Sequence, residues 1–393
     1  MKRLVELAVL LACVVFTGVS CDNVDEYIAP QPYAIDWNAA ADSATTALIQ
    51  NFWNAEKGFF KSTTVEDGGY NYWPQAHAMD VVIDAYLRTS DSKYSDMFGR
   101  WFEGCKLQNH GDLSVYTNDY YDDEAWIALT MTRLYKVTKE EKYLTVAKSL
   151  YDDIMNGWNP ANQDGGLSWR KSQPDTKNSC INGPGATLAF KLYEATGDES
   201  YAQQGLKVYE WTREHLMDPA TGAVVDGING ETGEITAWRF SYNQGTVMAA
   251  AYQAYKYTDN ALYLKDARRL AYYTINSDSF IDQATNVILK ENGGKPGNGD
   301  DALFRAVFFR YFADIIEAPD FDEAWHNKFL ACMNSSSEYL WRYGLADRRE
   351  FKWMLFSGDW QNGVSVGEVG YLNPNVSAAS CIEMRARIEA AGK

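Results

Sequence analysis

The chain has 393 residues, 46% of them hydrophobic, which is enough to bury the core of one large domain or two ordinary ones and excludes a disordered tail. A formal net charge of −17 with a pI near 4.7 repels phosphate backbones and anionic membrane surfaces, so nucleic acid is excluded as a partner. The 13 Trp and 26 Tyr leave abundant aromatic surface: most of these rings are expected in a helix-helix core, and the remainder suit the C–H faces and hydroxyls of sugars.

Taken in chain order, residues 1–20 read as a targeting segment. Lys2 and Arg3 precede an apolar run from Leu7 to Phe16, and Gly18, Val19 and Ser20 lead into Cys21. This resembles a bacterial lipoprotein signal, which implies Cys21 as the lipidated residue. Gly18 stands where that pattern usually has Leu, so secretion without a lipid stays open. Residues 21–35 read as an acidic tether similar to the export signal of surface lipoproteins, which implies attachment to the outer membrane, facing the periplasm or the cell surface. No other run is apolar and long enough to cross a bilayer. Once Cys13 and Cys21 are set aside, Cys105, Cys180, Cys332 and Cys381 are scattered and show no CxxC spacing. They read as core thiols, with one disulfide left open and no zinc site indicated.

From Asp36 onward the chain repeats itself. Tyr86, Thr89 and Tyr94 recur as Tyr135, Thr138 and Tyr143, as Tyr193, Thr196 and Tyr201, and as Tyr255, Thr258 and Tyr263. Each copy lies between two apolar stretches of helical period, so each is expected to be a tight turn in a helical hairpin. One helix should end after the first Tyr, and Thr, Ser, Asp or Asn should cap the next. A fifth hairpin is expected from Asp301 through Pro319 to Trp341. Helices near Asp36–Trp53 and Pro374–Ala391 would pair as the sixth. Six hairpins point to an all-α fold, an (α/α)6 toroid over residues 36–393, with an open solenoid as the alternative. The long segments "GWNPANQDGGLSWRKSQPDTKNS" and "MDPATGAVVDGINGETGEITAWRFS" favour the toroid, because loops of that length build sites.

The residues opening the first helix of each hairpin would then meet at one end of the barrel. They are Trp73, Gln75 and His77; Asp122 and Asp123; Asn182; Tyr242, Asn243 and Gln244; and Asp300 and Asp301. Asn and Asp at such places also serve as simple N-caps, and that reading stays open for Asn182 and Asp300. Asp122 and Asp123 differ, since Asn118 or Asp119 can already cap their helix. Consecutive helical residues project about 100° apart, so the two carboxyls can lie roughly 5–6 Å from each other, close to the separation of a retaining glycosidase. One carboxylate, favoured by the helix N-terminus, can attack an anomeric carbon. The other, kept neutral by its charged neighbour, can protonate the leaving oxygen. A second pair, Asp152 and Asp153, reads as a solvated outer-helix face. A pyrophosphate-binding DDxxD would need an acid where Trp126 stands.

"YDDEAW" at Tyr121 to Trp126, "DGGLSWR" at Asp164 to Arg170, "NGPGATLAFKLYEATGD" at Asn182 to Asp198 and "YNQG" at Tyr242 to Gly245 together resemble glycoside hydrolase family 76, the endo-α-1,6-mannanases. The resemblance implies an (α/α)6 barrel and retaining cleavage of α-1,6-mannosidic linkages without metal or cofactor. Asp122 would be nucleophile and Asp123 acid/base. Trp169, Tyr242, Asn243 and Gln244 would line sugar subsites, with Trp73, Asn182, Asp300 and Asp301 as further substrate-binding candidates from the helix starts. The expected partner is mannan or a mannooligosaccharide, the expected state a monomer, and the membrane is met only through a lipid.

Competing motifs are weaker. "GVSVG" at Gly363 has no strand-turn-helix context, and no His follows His326. His77, His110, His215 and His326 lack HExxH spacing. Other α/α toroids act as uronyl hydrolases or lyases, which would want more basic residues in the cleft than Arg170, Lys171, Lys177 and Arg239 provide. A non-catalytic glycan-binding lipoprotein needs aromatic loops but no vicinal acids.

Overall fold

The structure, a computed structural model, describes residues 33–65, 67–109, 116–345, 352–365 and 367–393. The expected signal segment, Cys21, most of the tether and His110 lie outside the described residues.

Among the described residues, twelve helices alternate between an inner and an outer ring. α1 (Trp37–Phe52) is outer, α2 (Tyr72–Thr89) inner, α3 (Ser92–Gly104) outer, α4 (Tyr121–Thr138) inner, α5 (Glu141–Met155) outer and α6 (Ser179–Thr196) inner. α7 (Glu199–His215), α8 (Ser241–Thr258), α9 (Ala261–Thr274), α10 (Asp301–Glu317), α11 (Glu323–Tyr343) and α12 (Leu372–Ala390) continue the alternation. The inner helices α2, α4, α6, α8, α10 and α12 each pack on the next, and α12 returns to α2, so the ring is closed rather than an open solenoid. Inner helices are buried around most of their circumference, whereas outer helices such as α3 and α5 bury one stripe.

Closure is a side-chain device. Arg88 of α2 donates from Nε to Glu383 of α12 (2.9 Å) and pairs with Asp42 of α1 (2.9 Å), while Thr45 of α1 donates to the same Glu383 (2.6 Å). The first and last helices are thus stapled into the sixth hairpin.

Local chemistry accounts for the fourfold repeat. The inner helix runs three residues past the first Tyr and ends after the Thr, later than the sequence pattern implied. Its Thr hydroxyl bonds the carbonyl four residues back, as Thr89 does to Ala85 (2.7 Å) and Thr258 to Ala254 (2.7 Å). A single left-handed residue follows: Ser90, Lys139, Gly197 or Asp259, at φ from 57° to 73°, each donating its N–H to the first Tyr of its motif. Asp91, Asp198 and Asn260 then cap the outer helices through side-chain oxygens.

The opposite end of the barrel carries the long connections, and there a second repeat emerges. Each described connection folds a short antiparallel pair: Trp53 with Phe60, Trp158 with Leu167, Met217 with Val224, Ile281 with Ile288, and Leu345 with Phe356. The fourth residue of the following inner helix grips the second strand. Gln75 exchanges both hydrogen bonds with the Phe60 backbone (2.8 and 2.8 Å), Asn182 with Leu167 (2.7 and 2.9 Å), and Asn375 with Phe356 (3.0 and 3.2 Å). Gln244, with its amide oriented to satisfy both neighbours, accepts from Val224 N–H (2.7 Å) and donates to the Gly222 carbonyl (3.1 Å). In α4 the equivalent residue is Glu124, which accepts from Asn118 N–H (2.7 Å). α10 has Phe304 at that position, and the neighbouring Arg305 reaches the carbonyls of Ile288 (3.4 Å) and Gly358 instead.

These amides complete buried backbone groups, so their loss is costly. Asn182→Leu is expected to strip the fully buried Leu167 of both partners and cost about 3 kcal/mol, or a fall of roughly 4 °C in melting temperature by scanning calorimetry.

Candidate active site

α4 starts where two loops cross. Residues 169–171 run alongside 119–121, with Tyr120 bridged to Arg170, and Tyr121 N–H, an orphan donor of the helix start, bonds to the Trp169 carbonyl (2.9 Å). The expected capping by Asn118 or Asp119 is not found: Asn118 accepts from Tyr120 N–H (2.9 Å) and Asp119 binds Ser172 (2.6 and 3.0 Å). With those residues holding the loop, Asp122, Asp123 and Glu124 occupy the first turn, where the helix dipole favours negative charge.

The three acids are then separated by their partners. Glu124 is fully buried and ion-paired with Lys171 (2.7 Å). Asp122 and Asp123 are half-buried, and among the described residues neither is in an ion pair. Burial pushes the Asp122 carboxyl up, against hydrogen bonds from Cys180, from Trp169 Nε1 (3.2 Å) and from the backbone that favour its charged form. Asp123 is pushed well up by burial and then by the negative charges of Asp122, Asp300 and Glu124, with no donor to offset them. The donors sit on Asp122 and the repulsion on Asp123, so the surroundings favour the charged form at Asp122 and the neutral form at Asp123.

Around the pair the inner helices build an aromatic basin. Tyr242 stacks on Phe304 with centroids 4.0 Å apart and planes 11° from parallel. Trp126 meets Tyr242 at 6.3 Å and His77 at 5.0 Å, and His77 meets Trp73 edge-on at 5.4 Å. Trp73 Nε1 donates to Asp300 (3.2 Å), which faces Asp123 electrostatically. Trp169 lies against Tyr120, with the Arg170 guanidinium 5.0 Å above its ring. His77 is 3% exposed, and burial lowers it to about 3, so it is a neutral packed ring rather than a proton carrier.

Below the basin, Asp80 and Asp84 of α2, Arg133 of α4 and Arg310 of α10 form a buried ionic plug. Arg133 pairs with Asp80 (2.8 Å) and with Asp84, and Arg310 with Asp84 (2.7 Å) and Asp80 (3.5 Å). The plug ties three inner helices across the barrel. A separate hollow of about 380 Å³ opens beside Ser357 and Tyr371 and contains neither Asp122 nor Asp123.

The residues predicted from sequence therefore divide. Asp122, Asp123, Trp73, Trp169, Tyr242 and Asp300 come together. Asn182, Asn243 and Gln244 are each fully buried: Asn182 and Gln244 serve as loop grips, and Asn243 donates to Asp226 (3.2 Å). Asp301 accepts from Gly297 N–H (2.8 Å) and holds its own loop. Three residues at the basin carried no sequence signal: Cys180, beside Asp122; Phe304, freed by the shift of the loop grip to Arg305; and Asp226, held by Asn178 (3.1 Å) and Asn243 in a buried corner that raises its carboxyl. All four cysteines of the described residues are free and buried.

Comparison with known proteins places this geometry. Residues 36–383 match the family described as Glycosyl hydrolase family 76. The α-1,6-mannanase GH76A of Salegentibacter sp. HEL1_6 superposes with a TM-score of 0.82 at 30% identity, over 90% of this chain and 100% of that one. An inactive variant of it, with two consecutive aspartates replaced by asparagine, was solved with α-1,6-mannotriose (TM-score 0.82, 29% identity, 90% of this chain, 100% of that one). The mannan endo-1,6-alpha-mannosidase DCW1 of Saccharomyces cerevisiae is 24% identical over 321 residues, 76% of this chain and 69% of its own length. The chain spans 63% to 69% of the length of the first fungal relatives it matches.

Proposed function

Because the chain belongs to glycosyl hydrolase family 76, we propose that it hydrolyses α-1,6-mannosidic bonds of mannan with retention of configuration, Asp122 acting as nucleophile and Asp123 as acid/base. The observation that carries this reading is the unequal surroundings of two adjacent carboxyls. Asp122 receives the indole N–H of Trp169 and sits at a helix N-terminus, so it is the group that ionises. Asp123 faces three other acids and keeps a proton. The carboxylate of Asp122 attacks C1 while the Asp123 proton passes to the departing glycosidic oxygen. Asp123, now charged, then takes a proton from the water that displaces Asp122 and restores the starting state. The basin of Trp73, Trp126, Tyr242 and Phe304 offers apolar faces to a neutral sugar. The Salegentibacter enzyme, named an α-1,6-mannanase and solved with mannotriose, supports the linkage and the sugar.

Incubation with undecorated and branched α-1,6-mannan, with products sized, tests the reading: release of mannooligosaccharides is expected, and an intact polymer removes it. Trp169→Phe takes a donor from the Asp122 carboxylate and raises its pKa further. The activity that needs Asp122 charged is then lost at a higher pH. The acid limb of kcat/KM is expected to move up by roughly half to one pH unit, the worth of one such hydrogen bond.

We propose, from the sequence of residues 1–35, that the mature enzyme begins at a lipidated Cys21 and is held at the outer membrane as a monomer. Cys21→Ala should release it from the membrane fraction, and unchanged fractionation would dismiss the anchor.

A further inference from the structure

Trp238 is the most exposed tryptophan of the described core, at 57%, on the rim above α8. Water against so large a ring is unfavourable, and nothing among the described residues covers it. Its backbone is nevertheless held on both sides. Thr236 pairs with Gly227 across a short sheet, Arg239 N–H bonds to Asn292 Oδ1 (3.1 Å), and Asn292 N–H returns a bond to the Arg239 carbonyl (3.0 Å). The backbone that carries the ring is therefore fixed, so less freedom is lost when something lies on it.

What lies on it follows from continuity. Trp238 meets Phe240 at 6.3 Å between ring centroids, Phe240 meets Phe304 at 5.1 Å and Tyr242 at 6.0 Å, and those two rings floor the basin beside Asp122. An unbroken line of aromatic rings thus runs from solvent to the acid pair. The charge of −17 repels anionic polymers and is indifferent to neutral ones. We infer that Trp238 is a distal sugar platform, stacking a mannose unit of the same chain several units away from the bond being cut. The inference rests on the mannanase reading and extends it to the grip on a polymer.

The test compares wild type, Trp238→Ala and Trp238→Phe on α-1,6-mannohexaose and α-1,6-mannotriose, with a thermal melt to show that each variant is folded. Trp238→Ala is expected to lower kcat/KM on the hexaose about tenfold, through KM and with kcat within about twofold, because stacking outside the reacting ring is uniform binding. The loss on the triose should be clearly smaller, and Trp238→Phe should recover most of the hexaose activity. Equal losses on both lengths, or none on the hexaose, overturn the platform and leave the mannanase reading standing. Failure of the wild type to cleave either oligosaccharide removes both.

Discussion

Asp122→Asn is expected to lower kcat on α-1,6-mannan by about 10⁴-fold or more, because the amide cannot form the glycosyl ester through which the reaction passes. Asp123→Asn should cost about 10²- to 10⁴-fold, the range of a lost proton transfer. The two losses differ in kind. An aryl mannoside whose leaving group needs no proton should restore the first step to Asp123→Asn and do nothing for Asp122→Asn. Added azide should accelerate Asp123→Ala, since an anionic nucleophile needs no general base. The assignment rests on Trp169 donating to Asp122 and on Asp300 and Glu124 crowding Asp123. If the aryl substrate rescued Asp122→Asn instead, the roles would be exchanged.

The second large effect concerns stability. Arg310→Met should cost about 3–5 kcal/mol, the penalty of stranding buried carboxylates by removing one partner. Asp84 pairs with both Arg310 and Arg133 at 5% side-chain exposure, and Asp80 has the same two partners. Burial raises the Asp84 pKa, but Arg133 and Arg310 outweigh it and hold the group below its usual value. A carboxyl depressed in the folded state contributes stability above its unfolded pKa, and that stability is lost as pH falls through the folded value. Wild type is thus expected to lose stability below about pH 4, and Arg310→Met to show a lower melting temperature at neutral pH with a shallower acid loss. Equal melting temperatures in both proteins would mean that the plug carries no net stability.

Much of the barrel was legible because its repeat is local. Tyr, Thr and the following Asp or Asn each have a backbone task within four residues, so Thr89, Thr138, Thr196 and Thr258 announce the same turn wherever it falls. The small antiparallel pairs left no such mark, since two residues per strand are too few for an alternating pattern. The acid pair stood out because its helix needed no second carboxylate. The sugar contacts were harder to read. Asn182 and Gln244 have the residue type and helix-start position of a ligand, and only burial, which is set by loops folding back over 15 and 20 residues, shows that they serve the backbone. Phe304 failed to register for the converse reason: an apolar residue in an apolar helix looks like core until the grip at its position is seen to have moved to Arg305. Asp226 and Cys180 join the site only through contacts between neighbouring elements, which no local pattern encodes.

A double displacement by two adjacent acids keeps the configuration at C1. The anomeric form of the product at first release, followed by proton NMR before mutarotation, tests it most directly. The new reducing end should appear first as the α-anomer, whereas the β-anomer appearing first would mean a single displacement by water.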